Sequence, residues 1–200
     1  MDRKSLTIVR AAGLCALASI VVWGAFGPGS AAQQGKGVRL VRDDAKQRVD
    51  VFVDGQPFTA YIWPATQKKP VLFPLRTAKG TLVTRGFPLD PRAGERVDHP
   101  HHVGLWFNYG DVNGSDFWNN TDAVKPEDRP KFGTIVHRAV TAVRGGADQG
   151  ELEVDMDWIH GNGSVVLTEH TLFVFRGGPG WRSVDRITRL LAQGARVSFT

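Results

Sequence analysis

The chain has 200 residues, of which 42% are hydrophobic and 22% are charged, a balance typical of globular proteins. This composition excludes a chain that is disordered throughout, a collagen-like fibre and a protein with many membrane-spanning helices. The formal net charge is only +5, and no run of basic residues with interleaved aromatic residues occurs. The sequence therefore does not indicate a nucleic-acid partner.

The amino terminus has the three parts of a secretory signal peptide. A net-positive start ends at Arg10, an uncharged apolar run follows over residues 11–26, and small side chains occupy positions 30–32. We expect a signal-peptide helix over residues 1–32, cleavage between Ala32 and Gln33, and a periplasmic or extracellular protein. The apolar run is shorter than the ~20 residues of a spanning helix, so we expect no stable transmembrane span after cleavage.

The only cysteine of the chain, Cys15, lies inside this predicted leader. The mature chain would therefore contain no thiol. This excludes disulfide bonds, thiolate zinc sites and cysteine nucleophiles from its chemistry.

Beyond the leader, apolar residues recur with a period of two, which predicts strands rather than helices. Val49, Val51 and Val53 form one such alternation. The Asp54-Gly55 pair that follows is typical of a tight primed turn, and residues 58–63 return as the second strand of a hairpin.

A second group of strands is predicted towards the carboxyl end. Apolar and acidic residues alternate from Glu151 to Trp158, and the segments 165–175 and 181–191 follow glycine-rich turns. Residues 120–131 are predicted to be a loop, and residues 195–200 a last strand.

These patterns predict an all-β fold, an antiparallel β-sandwich over residues 33–200. No amphipathic helix of ten or more residues is predicted in this range. Because the sequence stops within a predicted strand, we expect the carboxyl-terminal part of the sandwich to be missing.

Three of the six histidines lie close together, at His99, His101 and His102. Histidine is the usual acid–base group near neutral pH and a frequent metal ligand. On an extended chain, His99 and His101 point to the same side, whereas His102 points away unless Pro100 bends the backbone. The block predicts an acid–base site; a divalent metal site, or rings that only satisfy loop backbone groups, are the alternatives.

A second polar segment runs from Asp111 to Trp118. Its oxygen donors suggest a calcium loop, but the glycine at the fourth position and Asp122 at the twelfth do not fit the EF-hand pattern. A turn in which Asx side chains bond the local backbone is the favoured interpretation.

Glu169 lies on the apolar face of the predicted strand over residues 165–175. A carboxylate buried near the histidines would be suited to general acid–base catalysis. The equally open alternative is an ion pair with an arginine, Arg182 or Arg186.

The segment Asp98–Phe107, followed by Gly110–Gly114 and Asp116-Phe117-Trp118, resembles a bacterial secreted family labelled PmoA-type, or "methane oxygenase PmoA". The resemblance extends from about Tyr61 to Phe199. It implies a β-sandwich, of the galactose-mutarotase supersandwich kind, in which histidine and a carboxylate transfer protons at sugar carbons. The arginine usual after the histidine block is Val103 in this sequence, and the histidine usual before Gly-Asp is Tyr109.

The resemblance implies catalytic roles for four of these residues: His99, His101, His102 and Glu169. We expect substrate-binding roles for six others: Asp98, Trp106, Asn108, Asp111, Asn113 and Trp118. No metal-ligating residue is assigned and no cofactor is predicted, with a divalent metal at the histidines as the open option.

The predicted function is a carbohydrate-active enzyme, epimerase-like or lyase-like, in which a His/Glu pair acts on a small-molecule sugar. One alternative is a non-catalytic carbohydrate-binding or envelope module with Trp106, Trp118 and Trp158 as platforms. The other is a metal-dependent oxidative enzyme, as the label of the resembled family suggests.

Overall fold

The computed structural model describes residues 35–200, so the predicted signal peptide and its cleavage site lie outside the described residues. The described part contains eight β-strands and one short 3₁₀ helix, Arg129–Lys131. This confirms the all-β prediction. None of the helical structure in residues 35–200 is long and apolar enough to cross a membrane.

Two four-stranded sheets, each antiparallel with its strands in chain order, make up the fold. The first sheet contains β1 (Val38–Asp43), β2 (Arg48–Val53), β3 (Gln56–Ile62) and β4 (Val71–Leu72). The second sheet contains β5 (Thr134–Arg144), β6 (Gly150–Ile159), β7 (Val165–Gly178) and β8 (Trp181–Ala192).

The hairpin predicted from the valine alternation is formed by β2 and β3. Asp54 and Gly55 connect the strands with φ angles of 50° and 73°, as a primed turn requires. In the second sheet β7 continues to Gly178, which pairs with Trp181, so the turn into β8 is shorter than predicted.

The strand predicted over residues 195–200 was wrong. Only Phe199 forms a bridge there, with Val112. The backbone of this segment bonds to a loop instead: Asn113 N–H donates to Ser198 O at 3.1 Å and Thr200 N–H to Asp111 O at 3.2 Å. These contacts give Ser198 O and Thr200 N–H partners in the loop in place of partners in a sheet.

The sheets pack face to face as a β-sandwich around one apolar core. Aromatic pairs join the layers, because Phe58 of β3 meets Phe175 of β7 edge-on at 6.3 Å and Tyr61 lies 5.8 Å from Phe173. The alternation in β2 and β6 places every second side chain in this core. The prediction of an antiparallel sandwich is therefore confirmed.

A long connection between β4 and β5 contains the histidine block. It is attached to the edge of β4 by a bridge between Leu72 and Leu105, with backbone hydrogen bonds of 2.8 and 3.0 Å. Gly104 makes this approach possible: its φ is +59°, and a Cβ there would lie 2.3 Å from Leu72 O. The scaffold thus positions the histidines beside the first sheet.

Candidate functional site

A turn, not an extended chain, presents the three histidines. His99 has a φ of +47°, and His102 N–H donates to His99 O at 2.9 Å. The segment is therefore not extended, and the bend at Pro100 that the sequence left open is the conformation found. The bend at Pro100 brings His102 to the same place as the other two.

The three imidazole rings contact one another, and we call them the histidine cluster. His99 and His102 stack with ring centroids 5.2 Å apart and planes 17° apart. His101 meets His102 edge-on at 4.3 Å and His99 at 5.7 Å. Trp118 extends the cluster, since its ring lies 6.1 Å from that of His102.

Arg85 holds the turn in place from a neighbouring loop. Its guanidinium donates to the backbone carbonyls of Asp98, His99 and His102 and to the Asp98 carboxylate at 3.1 Å. The five donors of an arginine fork suit several acceptors at once. Asp98, predicted to bind substrate, is thus engaged with Arg85 and His99.

His101 is the most enclosed member of the cluster, because His99 and His102 are both exposed. Burial, reinforced by the neighbouring His102 and Lys69, lowers the pKa of His101 to about 4. Burial and the nearby His99 also lower the pKa of His102. His101 is therefore a neutral imidazole near pH 7, able to accept a proton or a hydrogen bond.

Two clefts adjoin the cluster, one lined by His101 and the other by His102. The first, of about 360 Å³, is reached by His101 and is lined by Lys69, Pro100 and Asn120 among others. The second, of about 440 Å³, is lined by Arg85, His102 and Trp106. Both volumes fall in the range of small-molecule sites, about 300–1,000 Å³.

Lys69 is a member of the site that sequence reasoning missed. Its Nζ lies 3.8 Å from the centre of the Trp106 ring and donates to Trp118 O at 2.9 Å. Trp106 and Trp118, both predicted to bind substrate, meet edge-on at 5.1 Å. The one available signal was the position of Lys69 immediately before the apolar segment that becomes β4.

Glu169 belongs to a different network, within the second sheet. It is buried, accepts a hydrogen bond from Trp158 Nε1 at 2.7 Å and one from Thr171, and forms an ion pair with Arg186. Of the two interpretations of Glu169, the structure shows the ion pair with an arginine, and that arginine is Arg186. Within residues 35–200, no hydrogen bond or ion pair links Glu169 to a histidine.

Three further residues predicted to bind substrate have side chains that form hydrogen bonds with the protein backbone. Asn108 is buried and donates to Phe117 O at 2.9 Å. Asp111 accepts from Gly114 N–H at 2.8 Å, as an Asx turn would, and Asn113 accepts from Ser198 N–H at 2.8 Å. None of the three lines the two clefts beside the histidine cluster.

In residues 35–200 no group of three or more His, Cys, Asp or Glu side chains is arranged to hold a metal ion. Among the imidazoles, His99 and His102 stack face to face, and His101 stands edge-on to both.

Comparison with known proteins identifies the family. A model described as a family of unknown function (DUF6807) matches residues 48–200. The chain belongs to the DUF6807 family. The match covers the strands from β2 onward and the whole histidine-bearing connection. No curated protein and no solved structure matches the chain.

Proposed function

We propose that this DUF6807 protein is a carbohydrate-active enzyme in which the histidine cluster binds a sugar and transfers a proton at one of its carbons. The observation that carries the proposal is the contact of three imidazole rings in a turn that adjoins two clefts, beside Trp106 and Trp118. Aromatic faces stack on sugar rings, and a neutral imidazole accepts a proton.

The proposal assigns the proton-accepting role to His101. Its imidazole is neutral near pH 7 and reaches the 360 Å³ cleft, while the neighbouring Lys69 carries an N–H donor. Glu169 already accepts hydrogen bonds from Trp158 and Thr171 and pairs with Arg186, so it has no direct part in the proposed proton transfer.

Solvent-exchange measurements test this assignment. The full chain is incubated with a panel of monosaccharides and disaccharides in D₂O, and deuterium incorporation at carbon is followed by NMR and mass spectrometry. We expect incorporation with the wild type and with His170→Ala, an exposed histidine on the second sheet, and at least a tenfold loss with His101→Ala. No incorporation in any sugar would contradict the proposed reaction.

A non-catalytic sugar-binding module is the second candidate. This candidate is favoured by Trp118, which is 42% exposed and packs edge-on against Trp106. An exposed aromatic ring held by a neighbour can stack on a sugar ring. If this candidate is right, sugar affinity survives His101→Ala and falls with Trp118→Ala. Trp181, 52% exposed at the start of β8, supplies the control substitution.

The proposed site of action is the periplasm or the extracellular space. This inference rests on the leader over residues 1–32 and on the resemblance to PmoA-type secreted proteins. Amino-terminal sequencing of the protein recovered outside the cytoplasm is expected to begin at Gln33. Recovery of the intact amino terminus from the cytoplasm would contradict it.

A further inference from the structure

Lys69 is a buried cation beside the histidine cluster. The residue is only 3% exposed, and its ammonium lies over the Trp106 ring while donating one hydrogen bond to Trp118 O. An ammonium has three N–H donors, and the backbone carbonyl satisfies one of them. The ring face contributes a weaker attraction to the same charge.

No acidic side chain in residues 35–200 forms an ion pair with Lys69. The neighbouring Lys68 pairs with Asp122. Asp116 acts on Lys69 only over a longer range, since its carboxylate accepts from Trp118 N–H and from Asn119 at 2.7–2.9 Å. Lys69 is therefore a buried cation that has no ion-pair partner among the described residues, and Asp116 is the negative charge that acts on it from further away.

Burial of a charge without a partner is costly, and a bound anion would offset that cost. Lys69 and His101 line the same 360 Å³ cleft, so a ligand that fills it contacts both residues. Lys68 and Asp122 also line it, and their charges offset each other in an ion pair. Asn120 lines the same cleft, and its side-chain amide donates to Gly133 O at 2.7 Å and to Thr134 Oγ1 at 3.1 Å. A small molecule with one negative group and several hydroxyls complements this arrangement.

We propose that the ligand of this cleft is an acidic sugar, a uronic acid whose carboxylate pairs with the Lys69 ammonium while its hydroxyls face His101. This inference rests on the proposed function and adds the substrate class to it. Burial lowers the pKa of Lys69 to about 8 in the free protein, so most of the population is cationic at pH 7. A carboxylate beside it stabilises that cationic form further.

Matched sugar pairs test the proposal by calorimetry with the full chain at pH 7. Galacturonic acid is compared with galactose, glucuronic acid with glucose, and their short oligomers likewise. We expect at least one acid to bind tenfold or more tightly than its neutral partner. Lys69→Met is expected to abolish this preference, whereas the control Lys125→Met, on an exposed loop, retains it.

A second measurement needs no substitution, in case Lys69→Met does not fold. The side chains of lysine are isotope-labelled, and the acid is expected to shift the Lys69 Cε signal and to leave that of Lys125 in place. Equal binding of acid and neutral sugar, or a preference that survives Lys69→Met, overturns the substrate class and leaves the proposed function standing. Failure of every sugar to bind overturns both.

Discussion

At the scale of single residues, the Glu169–Arg186 pair makes the sharpest prediction about stability. Glu169 is fully buried, so removal of its arginine leaves a carboxylate with no counter-charge. Arg186→Met is expected to lower the free energy of unfolding by about 3–5 kcal/mol, measured by urea denaturation at pH 7. Arg189→Met, on the exposed side of β8, is the control, and equal losses in both variants would contradict the account.

The environment of His137 predicts how the free energy of unfolding depends on pH. Burial lowers its pKa to about 4, where it stacks on Trp63 at 4.1 Å and shares a hydrogen bond with the Tyr61 hydroxyl at 3.1 Å. The unfolded chain has an ordinary histidine pKa of about 6.5. Between these values the unfolded state binds more protons, so stability falls as the pH is lowered and levels off below about 4.

The test compares the wild type with His137→Gln. The free energy of unfolding is measured from pH 7.5 to pH 4, and the difference between the two proteins is plotted against pH. We expect the wild type to lose more stability than the variant in the window from about 6.5 to about 4. Parallel curves would show that His137 is not held in its neutral form.

The residue scale also shows what sequence reasoning can find in a site. The histidine block was recognisable because three imidazoles in four positions are rare in a loop. Lys69 and Arg85 were missed as site members because their roles arise from distant parts of the chain. The Lys69 ammonium contacts the Trp106 ring and Trp118 O, and these partners, 37 and 49 residues away, are not encoded in the local pattern around Lys69.

At the scale of elements, the absence of a side chain at Gly104 allows the histidine-bearing connection to pair with the edge of β4. Gly104→Ala would place a side chain at a φ of +59° and 2.3 Å from Leu72 O. We expect the free energy of unfolding to fall by about 1–3 kcal/mol. Sugar affinity is expected to fall as well, because this attachment holds the nearby turn that presents the histidines. Thermal unfolding and calorimetry measure the two effects.

Gly110→Ala is the matched control for this element. It lies in the same connection, and a Cβ at Gly110 meets no atom within 4 Å. Stability and sugar affinity are both expected to stay within experimental error of the wild type. If Gly104→Ala were equally silent, the attachment would not depend on the close backbone approach.

The strands were predictable where local pattern and final environment agree. The alternation in β2 and β6 was read correctly because one face of each strand meets the core and the other does not. Residues 195–200 have a similar apolar pattern but pair with the loop around Asp111. That outcome depends on a non-local contact, which strand propensity does not encode.

At the scale of the whole molecule, stability depends on contacts that cross between the two sheets. Phe175 is fully buried and meets Phe58 of the opposite sheet. Phe175→Ala is expected to cost about 3–5 kcal/mol, and Ile187→Ala, 59% exposed on β8, less than about 0.5 kcal/mol. Similar losses from the two substitutions in chemical denaturation would contradict a core between the sheets.

The sandwich class followed from short alternating strands and glycine-rich turns, but the position of the site within it did not. The connection from β4 to β5 has no regular period, so its path is set by tertiary contacts such as the Leu72–Leu105 bridge. Glu169 could be predicted as buried because it lies on the apolar face of β7. Its ion-pair partner is set by tertiary contacts, so the sequence narrowed that partner only to Arg182 or Arg186.

The central claim is that the histidine cluster is the place where this molecule meets a sugar. Its most direct test is NMR titration of the full chain with neutral and acidic sugars, following imidazole and indole signals. We predict that sugar shifts the signals of His101, His102 and Trp118 and leaves those of His170 and Trp181 unchanged. Shifts confined to His170 or Trp181, or no shift at the cluster with any sugar, would contradict the claim.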